Sequence, residues 1–229
     1  LKEAAVKALL ERRVDGIIYA AMYHREVHPS VAIGEVPAVL LDCFLADRSL
    51  PSVVPDEVTG GYEATRHLIA KGHRRIGFVC DRADVPARVG RHAGYRRALA
   101  ESGIAYDAAL VASESSLPSG GQIAADLLLR MPDRPTALFC YNDRMAMGAY
   151  AAARRLSLSI PDDVAIIGFD NQDLIAEDLT PGLTTMQLPH YAMGQWAVDY
   201  LLSLIDGQSR PGSPIQQMIH CPIVIRQST

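Results

Sequence analysis

Short apolar runs rich in Val, Ile and Leu recur along the first 170 residues: VDGIIYA (14–20), VPAVLLD (36–42), RIGFVC (75–80), TALFCY (136–141) and VAIIGFD (164–170). Each is too short for a buried helix and lacks the polar alternation of a half-exposed strand, so each predicts a strand buried on both faces. Helical patterns lie between them. GGYEATRHLIAKGH (60–73) stops at Gly72, AGYRRALAESGI (93–104) stops at Gly103, and RMAMGAYAAARRL (144–156) follows Asp143, which is expected to cap it. Strand and helix alternating in this way predict a parallel doubly wound α/β sheet. An extended LTTMQLP (183–189), a helix MGQWAVDYLLSLIDG (193–207) and a strand near CPIVIR (221–226) follow. That inventory exceeds one five-strand unit and points to two α/β lobes. The one Gly/Pro/Ser-rich stretch is the short loop from Gly207 to Pro214, so the chain is expected to cross between lobes more than once.

Composition narrows the function classes. The chain has 229 residues, 49% hydrophobic and 21% charged, enough to bury a substantial core. No apolar run approaches the roughly 20 residues of a membrane helix, and LKEAAVKALLERR reads as an amphipathic helix and not as a leader, so no membrane partner is expected. A net charge of -4 argues against an extensive nucleic-acid footprint on this segment. Cys43, Cys80, Cys140 and Cys221 never form a CxxC pair, and the seven histidines lack ligand spacing, so no metal site is expected. Three of the cysteines close or follow apolar runs, which suits buried free thiols in a reducing cytoplasm.

The strings VDGIIYA, GGYEATRHLIAKGHRRIGFV, RHAGYRRALAESGI, RPTALFCYNDRMAMGAYAAARRLSLSIPDDVAIIGFDN and LTTMQLPHYAMGQWAV, in this order, resemble the effector-binding core of the lactose/galactose repressor family. That core is itself similar to periplasmic sugar-binding proteins. The resemblance covers nearly the whole chain and implies an α/β periplasmic-binding-protein-like fold of two Rossmann-like subdomains with parallel sheets, joined by three crossovers. The N-terminal subdomain would comprise 1–73 and 186–212, and the C-terminal one 74–185 and 213–229. In the family a helix-turn-helix headpiece and a hinge helix precede the core. Here Leu1 falls inside the first helix, so the headpiece and the first strand are absent. Removing that strand is expected to leave its neighbours unpaired and apolar surface open, and the natural protein is expected to be longer. The resemblance further implies a homodimer, operator DNA contacted only through the headpiece, and a two-state rearrangement of the lobes on effector binding. The helix-loop surfaces at 144–156 and 172–180 are the expected dimer face.

Ligands of open parallel sheets bind beyond the carboxyl ends of the strands. Asp42, Asn142 and Asp170 stand at such ends, and Arg91, shortly before the Gly94–Tyr95 pair, adds a planar multi-donor fork. By the resemblance, Arg91, Asn142 and Asp170 match effector contacts from one lobe and Asp42 a contact from the other. Asp56, near the first expected crossover, is a hinge or site residue. Each also has a structural reading: a turn acid at Asp170, a solvated arginine face at Arg91, a strand terminator at Asp42, and a helix cap at Asn142 or Asp143. The cap is assigned to Asp143 and the contact to Asn142. Neither Arg91 nor Asp170 is expected to support the core.

Repressors of this type often place an aromatic ring on the loop after an LVxxG-like strand. This chain reads LVASESSLPSGG there, with Ser115 in that place. A stacking floor would then have to come from Tyr141, Tyr23 or Phe169, which makes a purine less attractive as effector and a small sugar or polyol more so. Two other function classes share the strand pattern. An enzyme is disfavoured because GxGxxG, GxxxxGK[ST] and GxSxG are all absent, so no catalytic residue or cofactor is expected. A periplasmic solute-binding protein of a transport system is the alternative, and the residues upstream of Leu1 would separate the two.

Overall fold

The computed structural model describes residues 2–208 and 214–229. In chain order its elements begin with α1 (Lys2–Glu11), β1 (Ile17–Glu26), β2 (Ala38–Phe44), β3 (Ser52–Pro55), α2 (Glu57–Ala70) and β4 (Ile76–Asp81). Next come α3 (Pro86–Glu101), β5 (Val111–Glu114), α4 (Pro118–Leu129), β6 (Ala137–Cys140), α5 (Asp143–Arg155) and β7 (Ala165–Asp170). The chain continues with β8 (Thr184–Gln187), α6 (His190–Ile205), β9 (Gln216–Ile219) and β10 (Ile223–Val224). Helices α2 and α3 end where expected, with Gly72 at φ 98° and Gly103 at φ 66° leaving the helix through left-handed backbone. They start earlier than the sequence pattern suggests: α3 begins at Pro86, whose fixed φ suits a first helical turn, so Arg91 lies inside the helix.

The chain packs as two units, Leu1–Asp56 with Pro189–His220, and Glu57–Leu188 with Cys221–Thr229. The crossings differ from the expected ones. The first falls at Asp56/Glu57 and not at 73/74, because α2 packs along α3. The second falls at Leu188/Pro189. The expected boundary at 212/213 lies outside the described residues. Beyond it, Gln216–Ile219 still belongs to the first unit because β9 pairs in parallel with β3, and the crossing comes at His220/Cys221.

In the first unit a parallel sheet runs in the order β1-β2-β3-β9. Val39 and Val53 meet Met193 and Ala197 of α6, and Ile17 and Ala38 meet Val6 of α1. The run at 14–20 is not buried on both faces. Among the described residues β1 pairs only with β2, and Met22 and Tyr23 on it are exposed. In the second unit the sheet order is β10-β8-β7-β6-β4-β5, parallel except for β10. Here the all-apolar runs do mark strands covered on both faces. Val79, Leu138 and Ile166 point toward α4 and α5, while their chain neighbours Phe78, Phe139 and Ile167 point toward α2 and α3.

Both helix pairs of this unit approach backbone to backbone. A Cβ on Gly61 would fall 2.3 Å from the Arg91 carbonyl oxygen, and one on Gly94 would fall 2.2 Å from that of Val58. Gly121 and Gly148 do the same between α4 and α5. This contact carries the start of α2 onto α3 and so sets Glu57 against Arg91. The four cysteines are all buried as free thiols, and among the described residues no helix is long and apolar enough to cross a membrane.

Candidate functional site

The carboxyl ends of the central strands of the second unit converge on one arginine. Asp81 ends β4, Tyr141 and Asn142 follow β6, and Asp170 ends β7. Arg91 projects from the α3 face lined by Ala87, Gly90, Gly94 and Ala98 and is buried, 3% exposed. Its Nε donates to Glu57 Oε2 at 2.7 Å, and its Nη1 donates to the Tyr141 carbonyl and, at 3.5 Å, to Asp170 Oδ1. The guanidinium plane lies 3.6 Å from the Phe169 ring centre and 4.7 Å from that of Tyr141.

Electrostatics follow from the numbers of each sign. Burial works against the charge of Arg91, but the carboxylates of Glu57 and Asp170 outweigh it and hold the guanidinium protonated more firmly than usual. Glu57 takes the short bond, leaving Asp170 a long one. Burial pushes the Asp170 carboxyl up to about 7; Arg91 opposes this, while Asp143 and Glu57 add to it as like charges. Burial likewise pushes the Tyr141 hydroxyl up. A carboxylate held near neutrality beside a fixed guanidinium can accept a hydrogen bond from a ligand hydroxyl or, protonated, donate one.

The structure brings Arg91 and Asp170 together, and Arg91 also bonds the carbonyl of Tyr141, the residue before Asn142. It also corrects two expectations. The helix cap is Asn142, whose Oδ1 accepts the Met145 N–H at 2.8 Å while its Nδ2 donates to the Ser116 carbonyl at 3.2 Å. Asp143, expected in that role, instead turns inward to β8 and the turn after β7. Arg91 is no free donor on a solvated face but part of the core. Ser115 is half-buried on the β5–α4 loop, which folds so tightly that a Cβ on Gly120 would fall 2.1 Å from the Ser115 carbonyl. Phe169 cannot serve as a stacking floor: it is fully buried between Arg91 and Gly60. Tyr141 has one face against the same guanidinium, and Tyr23 belongs to the first unit.

Asp42 and Asp56 also belong to the first unit. Asp42 lies within β2 with φ 56°, and Asp56 follows β3, its N–H bonded to the Ile219 carbonyl. Asp170, with φ 116°, shares with Asp42 a positive φ that side-chain-bearing residues rarely adopt. At Asp170, the last residue of β7, strain of this kind is held by the surrounding structure. Sequence reasoning missed Glu57 and gave Asp143 only a capping role. For Glu57 a signal existed: a lone arginine in a helix stripe of Gly and Ala needs a buried counter-ion, and α2 supplies it.

Comparison with known proteins fits this geometry. Residues 65–229 match the periplasmic binding protein-like domain family. The HTH-type transcriptional repressor CytR of Escherichia coli K12 is 37% identical over 193 residues, covering 84% of this chain and 56% of the repressor. A regulator of the LacI family from Rhizobium etli has the same fold with a TM-score of 0.86 at 34% identity, over 99% of this chain and 82% of that one. A complex of the transcriptional regulator CelR with cellobiose superposes with a TM-score of 0.81 at 29% identity, over 100% and 70% of the two chains. The chain belongs to the periplasmic binding protein-like domain family, in the branch that forms the effector-binding regulatory cores of LacI-type transcriptional regulators. It spans just over half the length of the CytR repressor it matches.

The excess of carboxylates over guanidinium has a measurable consequence. Asp170 titrates near 3.8 when unfolded and about 7 when folded. The folded state therefore holds the proton more tightly, and its stability declines as pH rises from about 4 through 7. Asp170→Asn, which mimics the protonated acid, should raise stability at pH 8 by roughly 2–4 kcal/mol and give no gain below about pH 4. Urea melts at pH 4, 6 and 8 check this, and an Asn variant less stable than the parent at pH 8 would contradict it.

Proposed function

We propose that this chain is the effector-sensing part of a bacterial DNA-binding transcriptional repressor, acting in the cytoplasm without enzymatic activity. The single observation that carries the reading is Arg91, fixed by Glu57 and facing the weakly held, near-neutral Asp170 at the carboxyl ends of the parallel strands. Such an arrangement orients a ligand and contains no nucleophile with its base. The effector is a small polar molecule of the sugar or polyol class. A sugar is what CelR holds in its complex, and of the rings beside Arg91, Phe169 is fully buried and Tyr141 has one face against the guanidinium. Arg91, Asp170 and Asn142 contact it. Ser115, just beyond β5 of the same unit, completes the proposed contacts. Operator binding belongs to a helix-turn-helix headpiece such as the name of CytR implies, and the effector modulates it by favouring one of two states.

The test begins with a thermal-shift screen of sugars, polyols and nucleobases, which reads ligand binding to the native state. The strongest ligand is then titrated calorimetrically into the parent and Asp170→Asn, a substitution that keeps the shape of the site. Loss of a hydrogen bond to a charged group predicts about 10- to 150-fold weaker binding. Equal affinity would remove Asp170 from the site.

A homodimer is part of the same proposal. Ile123 and Leu127 of α4, Leu117 just before it, Met147 of α5 and Leu174 beyond β7 are exposed apolar side chains of the second unit. Sedimentation at tens of micromolar should give a dimer, and Leu127→Asp should shift it toward monomer. A parent that sediments only as monomer would contradict this.

A further inference from the structure

One carboxylate outside the proposed contact set is held by two short hydrogen bonds. Asp143 is fully buried at the start of α5, where an acid ordinarily serves the helix terminus. That terminus is already capped by Asn142, and Asp143 points elsewhere. Its Oδ1 accepts the Thr185 hydroxyl at 2.6 Å, and its Oδ2 accepts the Gln172 backbone N–H at 2.7 Å. Thr185 lies on β8 in the core, whereas Gln172 lies in the turn that leaves β7. A Cβ on Gly168 would fall 2.3 Å from Asp143 Oδ1, so the carboxylate is seated where the neighbouring strand has no side chain.

The turn it holds is under strain. Asp170 and Asn171 have consecutive φ values of 116° and 52°, conformations that cost non-glycine residues on the order of 1–3 kcal/mol each unless the surroundings fix them. Gln172, pinned through its N–H, turns its side chain back and donates from Nε2 to Asp170 Oδ2 at 3.0 Å. The other Asp170 oxygen faces Arg91. A continuous line of contacts therefore runs from β8 through Asp143 and Gln172 to Asp170.

We infer that Asp143 is the positioning residue of the effector site: it anchors the turn after β7 to β8 and thereby aims Asp170 at Arg91. The inference rests on the reading of Asp170 as an effector contact, but its test needs no effector. Asp143→Asn keeps an oxygen for the Gln172 N–H and an amide for Thr185, whereas Asp143→Ala keeps neither. Both remove the charge, so any difference between them reports geometry alone. In hydrogen exchange, the Gln172 amide should exchange about tenfold or more faster in Asp143→Ala and stay within about threefold of the parent in Asp143→Asn.

Titration of the Asp170 carboxyl, followed by carbon-13 NMR, is the readout that a purely structural role would not move. Its midpoint should lie about a unit or more lower in the Ala variant than in the Asn variant, because a released carboxylate swings toward water. Identical Gln172 exchange and identical Asp170 midpoints in the two variants would overturn the assignment. Should Asp143→Ala not fold, Asp143→Leu removes both carboxylate anchors at nearly constant volume and leaves the Thr185 contact to Asn171 in place. Faster Gln172 exchange in it supports the assignment, and unchanged exchange overturns it. If these results hold while Asp170→Asn binds effector like the parent, the effector reading fails and the positioning role stands.

Discussion

The buried pair of Arg91 and Glu57 is the constraint on which the second unit is organised. Two charges out of water cost several kcal/mol each, and their attraction offsets this only when geometry is good and the remaining hydrogen-bonding groups are met. Every part of the surrounding sequence serves that condition. Gly61, Gly90 and Gly94 let α2 and α3 meet at backbone distance, so that Glu57 reaches the Arg91 Nε. Phe169 and Tyr141 lay ring faces near the guanidinium, and the Tyr141 carbonyl accepts from Nη1. What is left over is Asp170. It is near enough to the cation to be oriented but too far to be neutralised, and its carboxyl rises to about 7.

At the end of β7 the backbone is held away from its own lowest-energy turn, with Asp170 at φ 116°. At Asp170 the restraint is visible as the Asp143–Gln172 line.

The strands of the second unit were legible because burial on both faces leaves an unbroken apolar run, as in RIGFVC and VAIIGFD. The short strands β3 and β9 were not: SVVP is half proline and serine, and QQMI carries no apolar run, its place fixed only by pairing with β3. Helix starts were placed late because α2 and α3 open with small and polar residues that no periodicity marks. At the site, residue types pointed to Asp170 at a strand end and to Arg91 as a multi-donor fork, and these two face each other. The choice between Asn142 and Asp143 as cap could not be made from sequence, since either side chain can accept the orphan N–H. It was decided by Thr185, far along the chain, which offers Asp143 a better partner.

The most direct measurement is a pair of double-mutant cycles on folding stability at pH 8, one combining Glu57→Gln with Arg91→Met and the other Asp170→Asn with Arg91→Met. If Glu57 fixes the guanidinium and Asp170 is held only loosely, the first cycle should give a coupling of about 2–3 kcal/mol and the second less than about 1 kcal/mol. Additivity in the first cycle, or the larger coupling in the second, would contradict the clamp on which the site is built.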